Sequence, residues 1–353
     1  MKLLVLPGDG IGPEITAAAM HVLQAASRRF NLGIDATQED VGHASLQRHG
    51  TTVRPELLAA AKAADGLILG PTATFDFKDP ARGEINPSMF FRKELDLFAN
   101  IRPSRTYKGS QGPVGEFDLV VVRENTEGFY ADRNVASGGS EMLITPDVVV
   151  SLRRITRLCC ERIARAAFEL AQRRRKHVTL VHKANVLRLG DGMFLEECRK
   201  VAQDFPDIAV DDIIVDAMMA HAVRKPQRFD VIVTTNMFGD ILSDLTAELS
   251  GSIGLGGSLN AGGTYAMAQA SHGSAPDIAG RDIANPFSLV LSVSLLLSWL
   301  GRTKHKPEYE AAAEAIETGV EAAVADGDVT FDIGGNLSTQ ATGERLAARI
   351  FGG

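Results

Sequence analysis

The apolar positions along this chain change their spacing several times, and each change marks an element. Residues 3–6, Leu-Leu-Val-Leu, form an unbroken apolar run that predicts a short buried strand. The loop Gly8-Asp-Gly-Ile-Gly12 follows, and Pro13 suits the first turn of a helix running to about Phe30. A second strand-like run at 66–69 ends in Gly70-Pro71. Residues 119–123, 178–181, 212–215 and 231–235 are rich in β-branched residues and free of breakers, which predicts strands. Strands alternating with helical patterns predict a mostly parallel sheet in an α/β fold. A long helix is predicted over residues 146–172, and another begins after Gly239. Residues 289–300 are apolar almost throughout but too few to span a bilayer, so they predict a helix buried all round, in a core or at a subunit interface. Residues 134–145, Gly/Ser-rich around Met142-Leu-Ile144, read as an arm projecting toward a partner subunit. Internal repeats and low-complexity segments are absent from the sequence.

The length of 353 residues exceeds one typical core and predicts two lobes. A net charge of −7 argues against a nucleic-acid partner. The basic run Arg173-Arg-Arg-Lys176 suits a solvated helix end. Cys159, Cys160 and Cys198 are odd in number and lack metal-ligand spacing, as expected in a reduced cytoplasm. The N-terminal apolar run meets Gly8 too soon for a signal peptide, so a cytoplasmic location is expected.

The richest stretch is Asn236-Met-Phe-Gly-Asp240-Ile-Leu-Ser-Asp244. It places two carboxylates four apart on one helix face, just past the end of a strand, where open α/β sheets keep their ligands. A divalent cation with oxygen ligands would relieve their repulsion. A solvated acidic face near a helix N-terminus fits the same spacing. Asp216 is a third candidate carboxylate. Arg92 lies on a predicted helix, Arg102 just beyond it, and Arg123 at a strand's end. Together they suit a di- or tricarboxylate, although each taken alone is better read as a surface ion pair. Lys183 ends a strand in His182-Lys-Ala-Asn185; desolvated near a cation it serves as a base, and Tyr130 as an acid. An ordinary surface lysine and a core tyrosine are the plainer readings. The small residues of His272-Gly273-Ser274-Ala275-Pro-Asp277-Ile278-Ala-Gly280, followed by Asn285, let backbone amides approach a ligand. Asp277 suits the ribose hydroxyls of NAD and would repel the 2′-phosphate of NADP. The opening glycine loop is one residue short of G-x-G-x-x-G, and no acidic residue clearly ends a second strand, so a Rossmann site is not expected.

Taken in order, these motifs resemble the β-decarboxylating dehydrogenases, which act on isocitrate, homoisocitrate, 3-isopropylmalate and tartrate or D-malate. The resemblance runs nearly end to end. It implies an isopropylmalate-dehydrogenase-like two-domain α/β fold that is not a Rossmann fold. Residues 1–99 and 251–353 would form a large domain with the dinucleotide site, and residues 100–250 a smaller central domain with a dimer arm. Arg92, Arg102 and Arg123 look like the substrate-carboxylate arginines, with Asn86, Ser88 and Asn185 beside the substrate. Asp240 and Asp244 look like ligands of Mg²⁺ or Mn²⁺ from one subunit, and Asp216 and Lys183 reach in from the other subunit of a homodimer. Tyr130 looks like the acid that protonates C3, and His272, Gly273, Ser274, Ala275, Asp277, Ile278 and Asn285 like the NAD site. The implied reaction is NAD-dependent oxidative decarboxylation of a 2-hydroxy acid with a 3-carboxylate. The family reads the C3 substituent through a segment matching residues 85–91. Isopropylmalate enzymes usually place leucines where this chain has Ser88 and Met89; the polar residues here, with bulky Phe90 and Phe91, favour an isocitrate or homoisocitrate type. Isopropylmalate and tartrate or D-malate are the alternatives. Gln269-Ala-Ser-His272 departs from the usual Glu-Pro-Val-His. A catalytically silent regulatory subunit is the alternative of another class; retention of Tyr130, Lys183, Asp216, Asp240 and Asp244 favours the enzyme.

Overall fold

A computed structural model describes residues 1–110, 112–130 and 139–352. The chain begins β1 (Lys2–Leu6), α1 (Gly12–Phe30), β2 (Asp35–Gln38), α2 (His43–His49), α3 (Glu56–Ala63), β3 (Gly66–Leu69), α4 (Pro87–Glu94), β4 (Ala99–Arg105) and β5 (Asp118–Glu124). It continues β6 (Glu141–Thr145), β7 (Val148–Ser151), α5 (Arg157–Ala171), β8 (His177–His182), α6 (Gly190–Ala202), β9 (Ala209–Ile214), α7 (Val215–Arg224), β10 (Val231–Thr234) and α8 (Asn236–Leu249). It closes with β11 (Leu259–Ala261), β12 (Ala266–Gln269), α9 (Phe287–Lys304), α10 (Pro307–Asp326) and α11 (Thr339–Gly352).

Ten strands form one sheet in the order β2-β1-β3-β12-β11-β4-β5-β10-β8-β9. The first four are mutually parallel, and so are the last four. Between them β11 and β4 pair antiparallel with each other and with their outer neighbours, so the two parallel halves run in opposite senses. The mixed sheet agrees with the α/β reading. The apolar stretch at 289–300 lies within α9, whose buried positions cover most of its circumference and pack with α1, α10 and α11 into one large core. A second core joins α5 and α6 to β5, β8 and β10, and a third sits under α7 and α8. All three cysteines are free and buried, and burial raises their thiol pKa values, so they act as core filling.

The helix expected over 146–172 is wrong in its first third. Val148-Val-Val-Ser151 is the strand β7, which pairs antiparallel with β6 across Pro146-Asp147. Three successive valines stiff at χ1 favour a strand. The helix starts only at Arg157, with the Thr156 hydroxyl accepting from Cys159 N at 3.3 Å as its N-cap. Every residue of β6 and β7 is exposed, including Met142, Leu143, Ile144, Val149 and Val150. The start of the expected arm, residues 134–138, lies outside the described residues. Arg102, just beyond the helix that carries Arg92, sits inside β4, and Asp216 is in the first turn of α7 rather than at the end of a strand. Among the described residues no helix is long and apolar enough to cross a membrane.

Candidate active site

The site forms where α8 crosses the face of β4 and β5. Arg123, near the end of β5, is 1% exposed; its Nε and Nη2 donate to Asn236 Oδ1 at 3.0 and 2.7 Å, and its Nη1 pairs with Asp240. Gly239 makes this contact possible: a Cβ there would lie 2.6 Å from Arg123 Cβ and Cγ. Arg102 Nη1 donates to Ser243 Oγ at 2.8 Å and to Asp244 Oδ1 at 2.9 Å, and lies 3.4 Å from Asp240 Oδ1. Its Nε donates to Asn100 Oδ1 at 2.6 Å. Tyr130 donates its hydroxyl to Asp240 Oδ2 at 3.0 Å. Arg92 projects from the buried face of α4, where Nη1 donates to Asn125 Oδ1 at 3.2 Å and Nη2 to Gln269 Oε1 at 3.0 Å.

The two aspartates differ electrostatically. Burial raises the pKa of Asp240, but the charges of Arg123 and Arg102 and the Tyr130 hydrogen bond outweigh it and hold the carboxyl below its usual range. At Asp244 burial dominates, the Asp240 charge adds to it, and Arg102 offsets it only in part, so its pKa is raised. A carboxylate pair held against buried guanidiniums, with one member penalised in its charged form, suits a hard cation. Among the described residues no three His, Cys, Asp or Glu side chains gather into a metal-binding group within this single chain. Asp216 does not join the pair; it pairs with Lys183 Nζ, which holds its carboxyl below the usual range. Asp191, fully buried, ties down the turn after β8 by accepting from Lys183 N at 2.5 Å and pairing with Arg153 at 2.6 Å.

Several supporting residues escape the sequence reading. Gln269 Oε1 accepts from Arg92, from Ser88 Oγ at 3.0 Å and from Asn260 Nδ2 at 3.3 Å, tying β12, α4 and β11 together. Glu124 and Glu127 fold their own turn: Glu124 accepts from the backbone of Thr126 and Glu127, each at 2.9 Å, and Glu127 from Thr156 N at 3.0 Å. Asn86 uses its side-chain oxygen as the N-cap of α4, accepting from Met89 N at 3.1 Å. Phe91 is fully buried in the core under α4, so it cannot line a substrate pocket as expected. Asn185 is exposed in the turn after β8.

The loop over 272–285 lies against the opening glycine loop. Ile11 N donates to Ser274 O at 2.9 Å, and a Cβ on Gly10, at φ +59, would fall 1.9 Å from that oxygen. The glycine loop is thus needed for close packing against residue 274. Gly273 and Gly280 face open space, Ala275 has φ +39, Asp277 is exposed, and Ile278 leans on the core. Burial lowers the His272 pKa and favours the neutral ring. Asn285 donates to Asp332 Oδ2 at 3.0 Å, which also accepts from Ser252 Oγ at 2.8 Å; Asp332 carries no motif.

The profile of the isocitrate/isopropylmalate dehydrogenase family matches residues 2–346. The chain belongs to this family. The 3-isopropylmalate dehydrogenase of Archaeoglobus fulgidus is 40% identical over 352 residues, 99% of either chain. The isocitrate/homoisocitrate dehydrogenase of Thermus thermophilus is likewise 40% identical, covering 99% of this chain and 98% of that one. The crystal structure of isocitrate dehydrogenase from Methylococcus capsulatus superposes with a TM-score of 0.88 at 38% identity, covering 99% of each chain. The dehydrogenase class and the α/β fold expected from the motifs are therefore those of this family, and relatives at equal identity carry different substrate names.

Proposed function

We propose that this chain is an NAD- and Mg²⁺- or Mn²⁺-dependent enzyme that oxidatively decarboxylates a 2-hydroxy acid bearing a 3-carboxylate, of isocitrate or homoisocitrate type. The observation that carries this reading is the buried convergence of Arg102 and Arg123 on Asp240, with Arg92 close enough to help lower its pKa. Three buried guanidiniums suit a substrate with several carboxylates, because charge-assisted pairing is strongest where water is excluded. Asp240 and Asp244, with Asp216 of a second copy, would hold the cation, and the 272–285 loop would hold NAD; when bound these supply Lewis-acid polarisation of the reacting oxygen and a hydride acceptor. Arg92, Arg102 and Arg123 orient the carboxylates. Lys183, reaching in from the second copy, takes up the hydroxyl proton, and Tyr130 delivers a proton to C3 as CO₂ leaves.

The polar wall of Ser88 and Gln269 beside Arg92 favours a polar C3 substituent. The second reading, 3-isopropylmalate, rests on relatives of that name at equal identity. The same proposal assigns residues 1–99 and 251–353 to one domain and 100–250 to the other, the border falling at the antiparallel strands β11 and β4. It also makes the exposed apolar faces of β6 and β7 a homodimer contact, and places the enzyme in the cytoplasm, in keeping with its free thiols.

The test is reduction of NAD with Mn²⁺ against isocitrate, homoisocitrate, 3-isopropylmalate, D-malate and tartrate. One strong responder, lost on chelation, is expected among the first two. A dominant response to 3-isopropylmalate overturns the substrate assignment, and silence on all five with NAD bound points to a regulatory subunit.

A further inference from the structure

The sheet face opposite the candidate site carries a groove. Alternation along β4 sends Asn100, Arg102 and Ser104 toward α8 and the site, and Ile101, Pro103 and Arg105 to the other face. There α5 and α9 stand on either side of the strands and enclose about 820 Å³, within the range of small-molecule sites. The walls are largely apolar, with Ile101, Pro103, Leu170, Leu259, Leu295 and Trp299 among them.

Most lining charges are already matched. Arg174 holds Asp118 and Asp230, each at 2.8 Å, and Arg105 reaches Glu321 at 3.6 Å. Glu317 accepts from Ser294 Oγ at 2.9 Å. Arg302, half-buried in the last turn of α9, and Arg173, just past α5, have no ion pair among the described residues. Burial and the nearby Arg173 charge lower the Arg302 pKa, and the charge of Glu310 offsets them only in part. Glu169, at the lip, is exposed.

We propose that this groove binds a small amphipathic organic anion, its apolar body against β4, β11 and Trp299 and its carboxylate or phosphate head between Arg173 and Arg302. Apolar area and paired cations in one cavity select for a ligand with both features, and neither alone would fill it. The proposal does not depend on the substrate reading, since the groove and the candidate site lie on opposite faces of the same strands.

The test uses the full chain and the fluorescent anion 8-anilinonaphthalene-1-sulfonate, titrated beside its neutral analogue N-phenyl-1-naphthylamine. The anion should bind more tightly than the neutral compound. Its affinity should fall about tenfold in Arg302→Gln and about tenfold more on adding Arg173→Gln, as expected for lost charge-assisted bonds. Ala166→Trp, which fills the groove from α5, should remove the site. Octanoate and octyl phosphate serve as competitors, and whichever displaces the probe identifies the head group. Arg173 is exposed, so Arg173→Gln alone keeps the test valid if the double variant melts early. Unchanged affinity in both the arginine and Ala166→Trp variants, or displacement by neither competitor, overturns the proposal.

Discussion

Replacing Gly239 by alanine separates the fold from the chemistry. The new Cβ would lie 2.6 Å from Arg123 Cβ and Cγ and 3.2 Å from its Cα, where ordinary contact begins at 3.4 Å. Either α8 or the base of Arg123 must move by about 0.8 Å, and no flexible side-chain end can absorb it. Overpacking of this kind costs ~1–3 kcal/mol. Alanine's better helix propensity returns ~1 kcal/mol. The net loss of stability is therefore about 0–2 kcal/mol, and the protein stays folded. Arg123, however, donates three hydrogen bonds to Asn236 and Asp240, and moving its base shifts the guanidinium proposed to hold a substrate carboxylate. A displacement of roughly 1 Å at a reacting centre lowers rates by about 10²-fold. Denaturant unfolding measured beside kcat/KM on the responding substrate should show a small stability loss and about a hundredfold loss of activity. If kcat/KM stays within about threefold of the parent, Gly239 does not seat Arg123 and the argument fails.

Other outcomes follow from the same geometry. Asp240→Asn should abolish metal-dependent turnover; near-normal activity at saturating Mn²⁺ would refute its metal role. Tyr130→Phe should retain hydride transfer but slow protonation at C3, read in heavy water as deuterium taken up without stereochemical control; normal turnover with one-faced uptake would remove Tyr130 as the acid. Asp244 has a raised pKa, so its ionisation destabilises the metal-free fold above that pKa and the penalty vanishes at lower pH. Asp244→Asn should thus raise the melting temperature of metal-free protein at neutral pH, with the gain shrinking in acid; a pH-independent gain would contradict this. Asp240 has the opposite sign: its contribution is present above the ordinary Asp range and is lost as pH falls through its lowered pKa. Leu143→Asp on β6 should shift sedimentation from dimer toward monomer and lower activity together, and an unchanged sedimentation profile would exclude β6 from the interface.

The legible parts of this molecule are those written locally. The strand, glycine and helix from Val231 to Leu249 announce the aspartate pair, because the change of spacing falls within a few residues. The helix at 287–304 is readable from its unbroken apolar run. Residues 146–172 mislead because an apolar run of valines gives no helical period, and only their β-branching distinguishes strand from helix. Gln269 is visible only as a departure from the family pattern; its bonds to Ser88 and Arg92 span 181 and 177 residues, and no local signal encodes them. Asn86 is offered as a substrate residue by the family resemblance alone, and the structure adds that its side chain caps α4.

The seam of the sheet has a consequence for how the chain is made. β11 and β12, residues 259–269, are inserted between β3 and β4, which are both complete by residue 105. As the chain leaves the ribosome N-terminus first, β3 and β4 each present an unpaired edge until that late hairpin arrives. Edges of this kind pair readily with other chains, and non-local closure is slow. The interval between residues 105 and 259 is therefore when a nascent chain is most exposed to aggregation, and when a chaperone that covers strand edges would matter most.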